Sequence, residues 1–304
     1  MKRYFIIPLV LCFIPLASYS GESSLQPGVN TRRVRVNGLE RRYVVHVSLP
    51  YDRAKLAPVI LAFHGGFGTP AFFERVTHLG ERAGPAGFIV VYPEGYRRSW
   101  NAGDCCCPAR CEGIDDVSFV RAVLDDLASI MTIDPRRIFA AGSSNGAMFA
   151  YRLACELSDR IAAIATSAGT MALPDEACNP TRPVPVLHFH GLADEYAPFK
   201  GGPSKYKPTG VRRSVPETIT FWLRRNGCTD ETRVTYQRGA ATCTTHHNCQ
   251  GQAEVTLCTI DRMGHQWPGG RVSFPRPLGP GTTDISATEM LMTFFQRHQM
   301  PANP

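Results

Sequence analysis

No segment of this chain repeats itself, none is of low complexity, and no apolar run is long enough to cross a bilayer comfortably. The first two absences exclude solenoids, propellers and biased linkers. The third argues against stable membrane association. Charge is sparse too: 33 Lys and Arg face 26 Asp and Glu, a formal excess of seven. That excess is modest, and no nucleic-acid-binding motif accompanies it, so nucleic acid is not expected as a partner. No Pro-, Gly- or Ser-rich stretch divides the 304 residues into comparable halves. What is present is an apolar content of 43%, enough to build a large core.

The N-terminus carries Lys2 and Arg3, then a short apolar run from Phe5 to Ala17, then small Ser18 and Ser20. This reads as a secretory signal over residues 1–20, with residues 21–304 as a single domain, secreted or periplasmic. Cys12 follows the bulky Leu11, where a lipoprotein signal wants a small residue, so anchoring is disfavoured. Removing residues 1–20 takes two cations, no acid and one cysteine, leaving a net charge of +5 and ten cysteines. An even count in an exported chain predicts disulfides, up to five of them. Cys105, Cys106 and Cys107 are consecutive. Side-by-side cysteines bridge only with strain, so at least two of these are expected to reach elsewhere. A zinc cluster of Cys243, His246, His247 and Cys249 is conceivable, but paired cysteines are the preferred reading.

Val34 to Val36 and Tyr43 to Val47 alternate apolar with polar around Asn37-Gly38, a hairpin signature. Val59 to Phe63, Phe88 to Tyr92, Ile138 to Ala141, Ile161 to Ser167, Val184 to Phe189 and Val255 to Ile260 read as strands, most of them apolar enough for burial on both faces. Helices are expected over residues 71–83, 114–131, 146–157, 214–226 and 288–299. Asp115 and Asp116 sit where a helix start favours carboxylates. Strands alternating with helices imply a mostly parallel sheet covered on both faces, with the opening hairpin as an antiparallel edge.

The strand ending at Ala141 runs into Gly142-Ser143-Ser144-Asn145-Gly146, and a helix follows at once. A serine that projects its hydroxyl needs a sharp strand-to-helix turn with tiny residues two places either side, and Gly142 and Gly146 flank Ser144 in that way. A serine nucleophile needs an imidazole base and a carboxylate to orient it, in the chain order Ser, acid, His, each beyond a strand's carboxyl end. Asp194 lies just past the strand ending at Phe189, with Glu195 as the alternative acid. His265 lies just past the strand ending at Ile260, whereas His246, His247 and His298 are placed on no strand end. His188 and His190 read as packed structural histidines. Two N–H donors must converge on an oxyanion. Asn145, after the nucleophile, is expected to supply one, and Gly66 in the His64-Gly65-Gly66 loop the other, with Phe67 as second choice. Trp100 and Trp267 are expected to flank the site and contact substrate.

Together these motifs, with Tyr92-Pro93-Glu94-Gly95, Trp100-Asn101-Ala102-Gly103, Ile114-Asp115-Asp116-Val117 and Gly264-His265-Gln266-Trp267-Pro268-Gly269, resemble a known group. They are similar to the secreted esterases of the polyhydroxybutyrate depolymerase and feruloyl esterase type, within the α/β-hydrolase fold. The resemblance runs from about Arg33 to Gly270. It implies Ser144, Asp194 and His265 as a triad, with no metal and no cofactor. The expected activity is cleavage of carboxylic esters in an oligomer or polymer, either hydroxyalkanoates or hydroxycinnamate esters. Amide cleavage in an anionic polymer such as poly(aspartic acid) and deacylation of polysaccharides are the alternatives. A non-catalytic binding module on the same scaffold is the remaining class. The cations Arg97, Arg98, Lys200, Lys205, Lys207, Arg212 and Arg213 could attract an acidic polymer or simply be a solvated surface.

Overall fold

The structure, a computed structural model, describes residues 25–48, 52, 54–205 and 210–302. The expected signal segment lies outside the described residues, as do residues 206–209, Lys207 among them. Twelve strands form along the described chain: β1 Gly28–Val36, β2 Leu39–Val47, β3 Ala57–Phe63, β4 Ile89–Pro93, β5 Ile133–Ser143, β6 Ala163–Ser167, β7 Val186–Gly191, β8 Gly202–Pro203, β9 Val211–Arg212, β10 Thr232–Arg238, β11 Ala241–His246 and β12 Val255–Ile260. The helices are α1 Pro70–Thr77, α2 Leu79–Ala83, α3 Asp116–Ile130, α4 Asn145–Glu156, α5 Val215–Arg225, α6 Pro275–Leu278 and α7 Ala287–Gln296.

Ten strands make one sheet in the order β1-β2-β4-β3-β5-β6-β7-β12-β11-β10. From β4 to β12 every neighbour pairs in parallel; β1 and β2 add an antiparallel edge at one side and β11 and β10 at the other. All seven residues of β3 are buried, because successive side chains point to opposite faces and both faces are covered. Leu61 and Phe63 pack with α3, α4 and α5 through Val120, Phe149 and Trp222. Ile60 and Ala62 pack with α1, α2 and α7 through Phe73, Leu79 and Leu291. This is the α/β-hydrolase arrangement.

Three details differ from the sequence reading. The helix expected over 71–83 is two helices, because His78 adopts a left-handed conformation (φ 52°) between them. The second edge hairpin, β10–β11, was not expected: β10 faces solvent along most of its length, so its residues carry little periodic signal. A Thr ladder from Thr235 through Thr245 to Thr256 (2.9 and 2.8 Å) and the Cys243–Cys258 disulfide fasten that hairpin to β12. His246 therefore ends a strand rather than lying in a loop.

The cysteines correct a further expectation. Cys105 pairs with Cys106, and Cys107 pairs with Cys111. The turn that follows brings residues four apart together, with Arg110 and Glu112 N–H groups donating to the carbonyls of Cys106 and Pro108. None of the three consecutive cysteines reaches a distant partner. The remaining bridges are Cys155–Cys178, Cys228–Cys249 and Cys243–Cys258. Cys243 and Cys249 are thereby committed to sulfur, which removes two thiolates from the conceivable zinc cluster. Among the described residues no group of three or more His, Cys, Asp or Glu could hold a metal ion.

Candidate active site

Ser144 sits between β5 and α4 at φ 55° and ψ −122°, a conformation a non-glycine residue adopts only when its surroundings impose it. They do so by close packing. A Cβ on Gly142 would overlap the Gly146 carbonyl, and one on Gly146 would overlap the carbonyls of Phe63 and His64. The Ser144 N–H is tied to the Ser167 carbonyl at 2.9 Å. The turn holds the hydroxyl above the carboxyl ends of β3, β5 and β6.

β7 and β12 are parallel neighbours, so the loops that follow them lie side by side. A Cβ on Gly191 would overlap the Met263 carbonyl, which shows how closely the two loops pack. His265 Nε2 lies 2.8 Å from Ser144 Oγ, and His265 Nδ1 lies 2.7 Å from Asp194 Oδ2. Asp194 Oδ1 accepts the N–H groups of Tyr196 and Ala197, both at 2.8 Å. Burial pushes the Asp194 carboxyl up, but the His265 ring and these donors outweigh it and hold the group below the ordinary carboxylate range. An ionised Asp194 accepts the Nδ1 proton, which leaves Nε2 as the acceptor facing Ser144. Glu195 points away and pairs with Lys205. His298 and His247 pair with Glu254, and His246 faces the Thr229 carbonyl. Three residues from distant parts of the chain are hydrogen-bonded in series.

His64 is fully buried. Its Nδ1 donates to the Gly65 carbonyl (2.8 Å) and its Nε2 accepts from the Gly95 N–H (3.0 Å). Burial lowers its pKa to about 4, so the ring stays neutral and fixes the loop. Phe67, the second choice for the oxyanion, donates its N–H to the Arg98 carbonyl at 2.8 Å. The N–H groups of Gly66 and Asn145 have no protein acceptor among the described residues, and both residues line the cavity at Ser144.

Trp100 departs from expectation. It has no exposed surface and stacks on Phe149 with ring centroids 5.1 Å apart. Its Nε1–H donates to the His64 carbonyl (2.9 Å), and its backbone N–H and C=O are held by the Asn145 side chain (2.7 and 3.0 Å). It is a brace between the two expected oxyanion donors, with no face free for substrate. Asp116, likewise buried, accepts from Arg41 (2.8 Å) and from the Asn101 N–H (2.7 Å), anchoring the next residue of that loop. Trp267 donates Nε1–H to Thr288 Oγ1 (3.0 Å) and is nearly buried, but it does line the larger cavity.

That cavity, about 630 Å³, opens beside Ser144 and His265 and is walled by Phe67, Phe72, Phe73, Phe274 and Leu278. A second, of about 150 Å³, is also lined by Ser144 and His265, together with Asn145, Met148 and Arg212. The aromatic wall was missed in the sequence. Phe67 and Phe274 are mostly exposed and sit in loops, where no periodicity marks them; only their placement a few residues from the glycine motifs could have flagged them.

Similarity to known proteins agrees with this geometry. The dienelactone hydrolase family model matches residues 46–203. A protein designated esterase NocK, from Nocardia uniformis subsp. tsuyamanensis, is 35% identical over 289 residues, covering 87% of this chain and 81% of that protein. Feruloyl esterase B of Piromyces equi is 32% identical over 247 residues, covering 77% of this chain but 44% of the longer fungal protein. The fold matches an acetyl xylan esterase from Aspergillus awamori with a TM-score of 0.61 at 15% identity, over 88% of this chain and 99% of that one. The chain belongs to the dienelactone hydrolase family.

Proposed function

We propose that this protein is an exported serine esterase that works through an acyl-enzyme on Ser144. The observation that carries the reading is the pair of hydrogen bonds from Ser144 to His265 (2.8 Å) and from His265 to Asp194 (2.7 Å). Ser144 Oγ attacks the ester carbonyl carbon while its proton passes to His265 Nε2, and ionised Asp194 stabilises the imidazolium that results. The carbonyl oxygen becomes an oxyanion held by the N–H groups of Gly66 and Asn145. Collapse breaks the bond to the alcohol oxygen, which takes the proton from His265. Water then attacks the acyl carbon, gives its proton to His265, and the acid is released as Ser144 regains its hydrogen.

The large aromatic-walled cavity beside Ser144 suits a bulky apolar group on one side of the ester, in keeping with relatives named for feruloyl and acetylxylan esters. An ester-linked oligomer or polymer is the substrate class this favours. Export rests on the residues 1–20 pattern and on five disulfides, which persist in oxidising compartments. The test is hydrolysis of a chromogenic short-acyl ester by the purified protein. Turnover that disappears in Ser144→Ala supports the reading, and turnover undiminished in that variant refutes it.

A further inference from the structure

The smaller cavity at Ser144 contains a charge that the mechanism above does not use. Arg212, on the two-residue strand β9, lines it beside Asn145, Ala197 and His265. The side chain is 7% exposed. Its Nε has no hydrogen-bond acceptor, and one terminal nitrogen reaches only the Cys105 sulfur at 3.4 Å, a weak acceptor that carries no charge. No carboxylate pairs with it among the described residues, while its neighbour Arg213 pairs with Asp175 at 2.6 Å. The adjoining residues 206–209 contain no acid in their sequence. Burial alone acts on this guanidinium, lowering its pKa with nothing opposing.

A buried, unpaired charge is costly, and proteins retain one where a partner arrives with the ligand. The rest of the wall has the same sign. Arg97 and Arg98 line the cavity, and none of its lining residues is acidic. Arg97 is already balanced by Glu112 at 2.7 Å, whereas Arg98 Nε meets only the Gly68 carbonyl at 3.3 Å. The cysteine run also finds its place: Cys106, Cys107 and Pro108 form part of this wall, and Cys105 backs the guanidinium. Two features left over from the sequence, the Cys105–Cys111 run and the Arg212-Arg213 pair, thus meet at one spot next to the proposed nucleophile.

We infer that this small cavity binds a carboxylate of the substrate, with Arg212 as its charge partner, so that the preferred esters carry a carboxylate a few bonds from the scissile carbonyl. One buried guanidinium balances one negative charge, and its planar fork matches a carboxylate. The larger cavity beside Ser144, walled mainly by aromatic and aliphatic side chains although Arg75 and Arg98 also line it, takes the apolar half. The inference rests on the Ser144 reading, and the test separates the two.

The full-length protein is assayed on two matched pairs of esters. One pair places the carboxylate on the alcohol side, 3-butyryloxybutyrate against its methyl ester. The other places it on the acyl side, 4-nitrophenyl hydrogen glutarate against 4-nitrophenyl butyrate. In at least one pair the anionic ester is hydrolysed with kcat/KM at least about tenfold higher, the scale on which truncating one partner of a desolvated charge pair is felt. Arg212→Met brings that ratio close to one, chiefly through KM, Arg212→Lys retains part of it, and Arg213→Gln keeps it. Glutarate raises the Tm of Ser144→Ala but not of Ser144→Ala combined with Arg212→Met. The Arg212→Met protein without ligand melts no lower than wild type, as expected when an uncompensated charge leaves a buried site. A ratio near one in both pairs, or a preference that survives Arg212→Met, overturns the inference while loss of turnover in Ser144→Ala still upholds the nucleophile. Turnover of both pairs surviving in Ser144→Ala overturns the nucleophile and the inference together.

Discussion

His190 donates its Nε2–H to the Ala197 carbonyl at 2.7 Å, and the N–H of the same Ala197 donates to Asp194 Oδ1 at 2.8 Å. One peptide neighbourhood thus links a buried histidine to the carboxylate that faces His265. Because a carbonyl can only accept, His190 Nδ1 must accept from His188 Nε2 (3.0 Å), and His188 Nδ1 in turn accepts from the Tyr151 hydroxyl (2.8 Å), which itself accepts from Thr166 Oγ1 (3.2 Å). Burial, the leading cause, lowers the pKa of both rings, so both stay neutral and the Ala197 carbonyl fixes the tautomer of each.

On the proposed mechanism His190 is expected to act as a positioning residue. Removing the ring in His190→Ala frees the Ala197 carbonyl and lets Asp194 drift, and kcat for a short-acyl ester is expected to fall by about tenfold or more with KM little changed. His190→Gln, which can still donate to Ala197, recovers most of that loss. Equal effects of the two variants, or an effect confined to KM, would rule out the positioning role.

Two neighbouring glycines give opposite outcomes. A Cβ on Gly65 would meet the Ser144 Cβ at 3.2 Å and the Ser143 carbonyl at 3.3 Å, whereas one on Gly66 meets nothing nearer than the Asn145 Cβ at 3.9 Å. Gly65→Ala therefore crowds the proposed nucleophile and is expected to lower kcat/KM by about tenfold or more, on the scale of a small displacement of reacting groups. Gly66→Ala keeps its N–H and stays within about threefold of wild type. Steady-state kinetics on both variants decides the matter.

Stability falls on the acid side, starting near neutrality. In the unfolded chain a histidine titrates near 6.5, while folded His64 does so at about 4. Between those values the unfolded state binds more protons, so stability drops as pH falls. For His64 alone the loss reaches about 3 kcal/mol at pH 4, and His188 and His190 add to it in the same direction. Asp194 and Glu254, held below ordinary carboxylates, lose their contributions at still lower pH. Urea midpoints at pH 7.5, 5.5 and 4.5 should decline in that order; a flat series would contradict the buried neutral histidines.

The Cys155–Cys178 bridge spans 23 positions and joins the end of α4 to the loop after β6. Replacing both residues by alanine is expected to cost about 3 kcal/mol, mainly through the freed unfolded chain. An unchanged urea midpoint would show that the bridge adds nothing.

The sheet and the site were legible to different depths. Val59 to Phe63 and Phe88 to Tyr92 announced buried strands because apolar runs of that length have few other uses, and Gly142 and Gly146 marked the turn because only glycine fits where strand and helix cross. The residues after β7 and β12 then followed from chain order. Trp100 was misread because proximity to the site in sequence says nothing about which way a ring faces, and here it stacks on Phe149. The cysteine run was misread because pairing of neighbours depends on a local turn that composition does not reveal. Arg212 and Arg213 look identical in sequence, yet Arg212 ends β9 with its side chain in a cavity, while Arg213, just past the strand, pairs with Asp175.

Active-site titration tests the central claim most directly. Mixed in excess with a 4-nitrophenyl ester, the protein should release a burst of one nitrophenolate per chain, and acid-quenched mass spectrometry should find the acyl group on the peptide containing Ser144 and nowhere else. A linear progress curve does not decide the point, since fast deacylation gives the same trace. An acyl group found on another residue, or full turnover by Ser144→Ala, would contradict it.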